Sequence, residues 1–124
     1  MPYADTDFFL ALLKGEDWLK LKAKKILENY KDSIWTSSWT IVEILMLAKE
    51  FKLDPENIVT SINAMVQVEG DINVLLATAH LMKEKNMTTF DALHAVCCKN
   101  DAIVSSDSIF DRIGMKRIKL ELYI

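Results

Sequence analysis

The 124-residue sequence contains little glycine, proline, cysteine or arginine. Three glycines and two prolines are spread singly along it, so no flexible linker divides the chain, and we expect one domain over residues 1–124. The only cysteines, Cys97 and Cys98, are adjacent, which excludes the C-x2-C spacing of zinc sites and predicts inert thiols buried in a helix. The only arginines are Arg112 and Arg117, so bidentate clamps on phosphate are scarce.

Long apolar runs are also missing. The longest runs, residues 8–13 and 44–48, are far shorter than the roughly 20 residues that a transmembrane helix needs. Asp5 and Asp7 stand near the start, where a signal peptide has a basic segment, so we expect a cytoplasmic protein without a membrane partner. The net charge of −3 gives no general attraction to nucleic acid, so contact with phosphate requires a local patch or a bound metal.

Short apolar runs alternate with helical periodicities along the chain. Apolar side chains at helical spacing predict helices over residues 17–30, 39–51 and 71–85, the second of them buried on most sides. Asp54 and Pro55 predict the start of another helix that runs through about Gln67. Short apolar runs predict strands over residues 2–4, 33–36, 102–105 and 117–120. This alternation predicts an α/β fold, in which helices cover both faces of a parallel sheet.

Four acidic residues share an unusual placement. Asp5 and Asp107 follow predicted strands. Glu43 lies within an apolar helix, and Asp91 lies in the first turn of a helix that begins near Thr88; neither acid has a Lys or Arg one turn away. Because loops that leave the carboxyl ends of parallel strands gather at one edge, we expect Asp5, Glu43 and Asp107 to lie near one another. Asp91 joins them if its helix starts at the same edge.

Helix capping is an alternative explanation for three of these acids. Thr88 and Asp91 have the spacing of a capping box, with Asp in place of Glu or Gln. Asp5 and Asp107 each precede a predicted helix and have a side chain suited to an N-cap. Glu43 lies in the middle of its helix, where no cap forms. Capping therefore does not account for all four.

A bound divalent cation would explain the four acids together. Clustered carboxylates repel one another and take up protons unless positive charge is supplied. Oxygen ligands favour Mg²⁺ or Mn²⁺ over zinc, and we expect His80 and His94 to have structural roles. Because Mg²⁺ keeps several waters and binds phosphate oxygens, a carboxylate cage predicts phosphoryl chemistry.

Four short motifs occur in the order and at the spacing of a known family. They are Asp5-Thr6-Asp7-Phe8-Phe9, Thr40-Ile41-Val42-Glu43, Thr89-Phe90-Asp91-Ala92-Leu93 and Ile103-Val104-Ser105-Ser106-Asp107. On these motifs the chain resembles the PIN domain family, small nuclease domains typified by the VapC-type toxins of toxin–antitoxin pairs. The resemblance implies a three-layer α/β fold in which helices flank a short central parallel sheet of about four or five strands.

The same resemblance implies a Mg²⁺- or Mn²⁺-dependent endoribonuclease that hydrolyses phosphodiester bonds of single-stranded or looped RNA. Its catalytic and metal-binding residues would be Asp5, Glu43, Asp91 and Asp107. The side chains that support them would be Thr6, Asp7 and Ser105. Besides RNA, the implied partners are a cognate antitoxin and a second copy of the chain, with residues 39–51 and 58–68 as candidate dimer surfaces.

Two departures from the family pattern and two other functions need to be weighed. Asp7 stands where Asn or Ser is more usual, and Ile109 stands where many members have a further acid, which leaves the presence of a second metal open. Asp5 and Asp7 also match the start of a haloacid-dehalogenase-type phosphatase signature, although Phe9 stands where that signature has Thr or Val. The non-enzyme alternative is a catalytically weak PIN-like module that binds a partner.

Overall fold

The computed structural model describes residues 1–124 and alternates helices with short strands, which confirms the predicted α/β class. The helices are α1 (Thr6–Leu13), α2 (Lys20–Asn29), α3 (Ser38–Leu47), α4 (Pro55–Met65), α5 (Ile72–Lys85), α6 (Thr89–Cys98) and α7 (Ile109–Arg112). The strands are β1 (Trp35–Ser37), β2 (Gln67–Glu69), β3 (Ile103–Ser105) and β4 (Arg117–Lys119). A 3₁₀ turn at Leu120–Leu122 follows β4.

Parallel pairing joins the extended segments in two separate groups. β1 pairs with β2, and Tyr3 adds an isolated bridge to Trp35, next to which the Ala4 N–H donates to the Trp35 carbonyl at 2.8 Å. β3 pairs only with β4. The single sheet of four or five strands that the resemblance implies is therefore not shown. Strands of three residues offer few ladder bonds, so the helices provide most of the packing.

β2 lies where the sequence predicts the end of a helix. That helix was expected to reach about Gln67, but α4 ends at Met65. Within β2 only Val68 is apolar, and one apolar residue gives no period-two signal. The strand is followed by Gly70 at φ +144°, where a Cβ would lie 2.6 Å from the Cβ of Ser38. This close approach holds the end of β2 against the start of α3.

α3 is shorter and more exposed than predicted. It ends at Leu47, and Ile41 and Ile44 on one side of it are completely buried. On another side, Trp39 and Met46 are 73% and 56% exposed. The prediction of a helix buried on most sides is wrong for the side that carries Trp39 and Met46, because apolar composition alone does not tell which side of a helix faces water.

Side-chain caps fix the starts of several helices. The carboxylate of Asp54 accepts a hydrogen bond from the Glu56 N–H at 3.0 Å, and Pro55 occupies the first helical position of α4, as predicted. Asp71 caps α5 in the same way, by accepting from the Asn73 N–H at 3.0 Å. These local contacts are available to sequence reasoning because donor and acceptor are only two residues apart.

The main core is formed by α1, α3, α4 and α5. Its completely buried side chains include Phe9, Ile41, Ile44, Ile58, Val59, Ile62 and Ala79. A smaller cluster joins α6 and α7 through Met87, Ala92, Ala95 and Phe110. In the candidate dimer surface over residues 58–68, the side chains of Ile58, Val59, Ile62 and Val66 thus belong to the core of one chain and are not available for a dimer contact, whereas Ala64 is exposed.

The two adjacent cysteines differ in their exposure. Cys97 is exposed and Cys98 half-buried, so the expectation that both thiols are buried is wrong for Cys97. Cys97 lies on the side of α6 that does not pack against the cluster around Ala92 and Ala95.

None of the seven helices has both the length and the apolar character that a membrane span requires.

Candidate functional site

Asp5 lies at the junction between the first extended segment and α1. It is the N-cap residue of this helix, and its Oδ1 accepts a hydrogen bond from the Thr6 N–H at 2.6 Å. The preceding residue, Ala4, is buried, whereas Asp5 is exposed. The capping role is therefore real, but it uses one carboxylate oxygen and leaves Oδ2 without a hydrogen bond from the chain.

Thr6 connects Asp5 to the mid-helix acid Glu43. The Thr6 side chain is buried, and its hydroxyl donates a hydrogen bond to Oε1 of Glu43 on α3. Glu43 itself is exposed and forms no ion pair with a Lys or Arg. Two acids that are 38 positions apart in sequence are thus brought to the same place through one hydroxyl group.

Tyr3 reinforces the same junction. Its hydroxyl lies 2.7 Å from the Ser37 Oγ and 3.0 Å from the Thr40 Oγ1, at the start of α3. These hydrogen bonds lower the pKa of the Tyr3 hydroxyl. The first extended segment is therefore fixed to the turn of α3 that precedes Glu43.

Asp91 and Asp107 line one cleft. Its volume is about 260 Å³, and its walls are formed by Asp91, His94, Ile103, Val104, Ser105, Asp107 and Phe110. Both acids had been predicted from the sequence, and so had Ser105 as a supporting residue. The cleft lies where the loop after β3 meets the first turns of α6.

The Asp91 carboxylate does not act as a helix cap. Thr88 caps α6, with its hydroxyl accepting from the Asp91 N–H at 3.4 Å. In a reciprocal capping box the Asp91 carboxylate would accept from the Thr88 N–H, but this bond is not formed. Asp91 is half-buried as a residue, and its carboxylate makes no hydrogen bond within the chain. Capping therefore accounts for Thr88 and leaves the position of the Asp91 carboxylate unexplained.

Asp107 is held by short local contacts. Its N–H donates to the Ser105 Oγ at 3.0 Å, and its Oδ1 accepts from the Ile109 N–H at 2.9 Å at the start of α7. The carbonyl oxygen of Ser105 accepts from Nη1 of Arg117 at 2.7 Å. The loop that carries Asp107 is thus anchored at both ends, and the second oxygen of Asp107 is exposed.

The two departures from the family pattern have clear structural consequences. Ile109 is half-buried and packs with the cluster around Phe110. Asp111, the nearest following acid, is paired with Arg117 at 2.8 Å, which lowers the pKa of Asp111. Asp111 therefore does not replace the acid that is missing at position 109. Asp7 is exposed and lines a different groove, between α1 and α2.

The four predicted acids form two linked pairs and not one closed cluster. Thr6 joins Asp5 to Glu43, and the cleft after β3 joins Asp91 to Asp107. Another group, Glu56, His80 and Glu84, is the one in which three ligand atoms all lie within 4.8 Å of one another. Repulsion between carboxylates disfavours a tighter arrangement of the four acids unless positive charge is added.

Glu56, His80 and Glu84 form a candidate metal-binding cluster that the sequence did not predict. His80 and Glu84 lie one turn apart on α5, and the His80 Nδ1 is 3.2 Å from Oε1 of Glu56 on α4. His80 is exposed, so it has no packing role in the core. The spacing of His80 and Glu84 was a visible signal, but the contribution of Glu56 depends on how α4 packs on α5.

His94 is a second residue that sequence reasoning missed. It lines the cleft of Asp91 and Asp107 and is exposed, although it was expected to be structural. Its position three residues after Asp91 places both side chains on one face of α6. That spacing was a usable signal.

Comparison with known protein families supports the resemblance that the four motifs indicate. A sequence model described as "PIN domain" matches residues 3–116, which include all four acids together with Thr6, Asp7 and Ser105. No curated protein and no solved structure is significantly similar to the chain.

Proposed function

The chain belongs to the PIN domain family, whose members are generally metal-dependent nucleases, and we propose that it is an endoribonuclease that requires Mg²⁺ or Mn²⁺. Its catalytic and metal-binding residues in this proposal are Asp5, Glu43, Asp91 and Asp107. Family membership supports hydrolysis of phosphodiester bonds and disfavours the phosphatase alternative. A candidate metal cluster also exists at Glu56, His80 and Glu84, so the experiments below separate the two places.

The surroundings of Asp91 are the observation that supports the assignment of the metal site to the four acids. Asp91 lines the same cleft as Asp107, and its carboxylate accepts no hydrogen bond from the chain and has no Lys or Arg partner. Two carboxylates in one cleft repel each other unless positive charge is supplied. A ligand of positive charge in the cleft would supply the missing partner.

The donor set fits Mg²⁺ or Mn²⁺. Asp5, Asp91 and Asp107 would hold the ion, with Glu43 as a direct ligand or as an acceptor from a bound water, and all of these donors are carboxylate oxygens. Such an ion would supply an activated water for attack on phosphorus and positive charge that stabilises the departing 3′ oxygen.

The neighbouring hydroxyl groups orient the acids. Thr6 fixes one oxygen of Glu43 and leaves the other without a hydrogen bond from the chain. Ser105 accepts from the Asp107 N–H and thereby sets the direction of the loop that carries this acid. Outer partners of this kind reduce the number of side-chain conformations that compete with the metal-binding one.

Single-stranded or looped RNA is the proposed substrate, because an open cleft lined by acids suits a flexible backbone better than a rigid duplex. The resemblance of the four motifs to those of the family typified by VapC-type toxins motivates a further proposal, that the protein is the toxin of a toxin–antitoxin pair. Co-purification with the product of an adjacent small gene tests this role. We also propose a homodimer; light scattering that shows a monomer at tens of micromolar protein would exclude it.

The nuclease proposal is tested with purified protein and a labelled single-stranded RNA. Cleavage should require Mn²⁺ or Mg²⁺ and should stop when the metal is chelated. Asp5→Asn should lower the rate by more than the roughly 10- to 100-fold that follows loss of an outer partner of a metal site. The matched control is His80→Gln, which alters the other candidate cluster and should leave the rate unchanged. RNA that is bound but never cleaved by the unaltered chain would indicate the binding-module alternative.

A further inference from the structure

Trp39 is an exposed aromatic residue that the core does not explain. Its side chain is 73% exposed, although Ile41, Ile44 and Leu45 on the same helix are buried almost completely. Trp39 lies four residues before Glu43, so the two side chains share one face of α3 about one turn apart. Glu43 is exposed as well. The largest apolar side chain of α3 that faces solvent is therefore beside an acid of the candidate site.

A second exposed aromatic residue lies beside another of the acids. Phe90 directly precedes Asp91 and is 43% exposed. It lines a groove of about 350 Å³ together with Met46 and Lys49 of α3. Met46 lies three residues after Glu43 and is 56% exposed. Exposed apolar surface thus flanks Glu43 on both sides and reaches the first turn of α6; we call the side chains of Trp39, Met46 and Phe90 the aromatic track.

Charge disfavours a mainly ionic mode of RNA binding at this surface. The protein has a net charge of −3, and the acids of the candidate site repel phosphate until a cation is bound. Lys49 is the one basic residue that lines the groove beside the aromatic track. Stacking of bases on aromatic side chains gives affinity that does not depend on the charge of the protein.

We propose that the aromatic track stacks unpaired bases of RNA on either side of the phosphate that is cleaved, with Trp39 as its main residue. This inference rests on the proposed function and adds to it the feature that selects the substrate. A base must leave its pair to reach Trp39, so the track favours single strands and loops over duplexes. Base contact beside Glu43 also fixes the position of the backbone relative to the acids.

The test compares two ligands in the Asp5→Asn background, which prevents cleavage. One ligand is a labelled 12-nucleotide oligoadenylate, and the other is a ribose–phosphate chain of the same length without bases, both with Mn²⁺. Trp39→Ala should weaken oligoadenylate binding by about 5- to 150-fold, the range found for loss of one stacked base, and should leave binding of the baseless chain unchanged. Trp39→Phe should recover part of the loss.

The matched control is Trp18→Ala. Trp18 is 83% exposed, precedes α2 and lies on neither α3 nor α6, the helices that carry the aromatic track, so its replacement should leave both affinities unchanged. Fluorescence gives an independent readout. Oligoadenylate should quench a tryptophan signal that is lost in Trp39→Phe and retained in Trp18→Phe.

Each outcome assigns the result to one proposal. Equal oligoadenylate affinities for Trp39→Ala and Trp18→Ala, in a protein whose RNA cleavage depends on Asp5, would overturn the aromatic track and leave the nuclease proposal intact. A change from dimer to monomer in Trp39→Ala, with unchanged RNA affinity, would also overturn it, because a second copy then covers this face. Failure of the unaltered chain to bind or cleave any single-stranded RNA would contradict the proposed function itself.

Discussion

Among single residues, Thr6 is expected to have a large effect on the orientation of the acids in the candidate site. It is buried, and it contacts two exposed acids at once, since its N–H donates to Asp5 and its hydroxyl donates to Glu43. The backbone contact survives any substitution, whereas the hydroxyl contact requires Ser or Thr. Thr6 therefore allows the orientation of Glu43 to be changed without removing an acid.

Thr6→Val should lower the rate of RNA cleavage by roughly 10- to 100-fold, the usual effect of an outer partner. The free energy of unfolding should fall by only about 0.5–1.5 kcal/mol, because valine fills the same buried space and one hydrogen bond is lost. Single-turnover kinetics and urea denaturation measure the two quantities. Thr6→Ser keeps the hydroxyl and should retain most of the rate; a Val variant with full activity would show that Glu43 needs no orientation.

At the level of secondary-structure elements, Arg117 joins β3, β4 and the turn after β4. Its guanidinium is nearly inaccessible to solvent and pairs with Asp111 at 2.8 Å and Glu121 at 2.9 Å. The same group donates to the Ser105 carbonyl, next to the loop of Asp107. These contacts lower the pKa of both carboxyls and raise the pKa of Arg117.

The Arg117 network should make stability depend on pH. A carboxyl whose pKa is lowered by folding stabilises the protein above its unfolded pKa, about 4 for Asp and Glu, and this contribution is lost as pH falls through the folded pKa. Arg117→Gln should therefore lower the urea midpoint at pH 7 and have a smaller effect at pH 3. A constant difference between pH 7 and pH 3 would contradict the ion-pair explanation.

The contact between β2 and α3 should tolerate no side chain at position 70. Gly70→Ala places a Cβ against Ser38 and also requires the unfavourable φ of +144°, so it should destabilise the protein by more than about 1 kcal/mol. Gly15→Ala is the matched control, because a Cβ there meets no atom within 4 Å. Urea denaturation of the two variants measures the difference, and equal midpoints would contradict the close approach.

A secondary-structure element could be predicted from the sequence when the contacts that form it join residues close together in the chain. Asp54 and Pro55 predicted the start of α4 because the capping carboxylate and the N–H that donates to it are only two residues apart in the chain. β2 was not predicted because it has only one apolar residue and because the strand it pairs with, β1, lies 32 residues earlier in the chain. The same distinction holds for the sites. The motif acids were found from their order, whereas Glu56 meets His80 only through the packing of α4 on α5.

For the whole molecule, the proposed site would couple metal binding to folding. The protein is acidic overall, and the four acids of the proposed site lie at the start of α1, on α3, on α6 and in the loop after β3. A cation that binds these acids in the folded state, and hardly binds the unfolded chain, stabilises the fold by mass action. The gain is about 2.7 kcal/mol at a hundredfold excess over the dissociation constant.

The central claim, that Asp91 faces a metal and not its own helix, is tested most directly by thermal melting of Asp91→Asn with and without Mn²⁺. Without metal the variant should be at least as stable as the parent, because repulsion within the cleft is relieved. Its melting shift with Mn²⁺ should be much smaller than that of the parent. His80→Gln is the control and should keep the full shift. An Asp91→Asn variant that loses up to about 1 kcal/mol without metal and keeps the full Mn²⁺ shift would show that Asp91 only supports the helix start, and would contradict the proposed site.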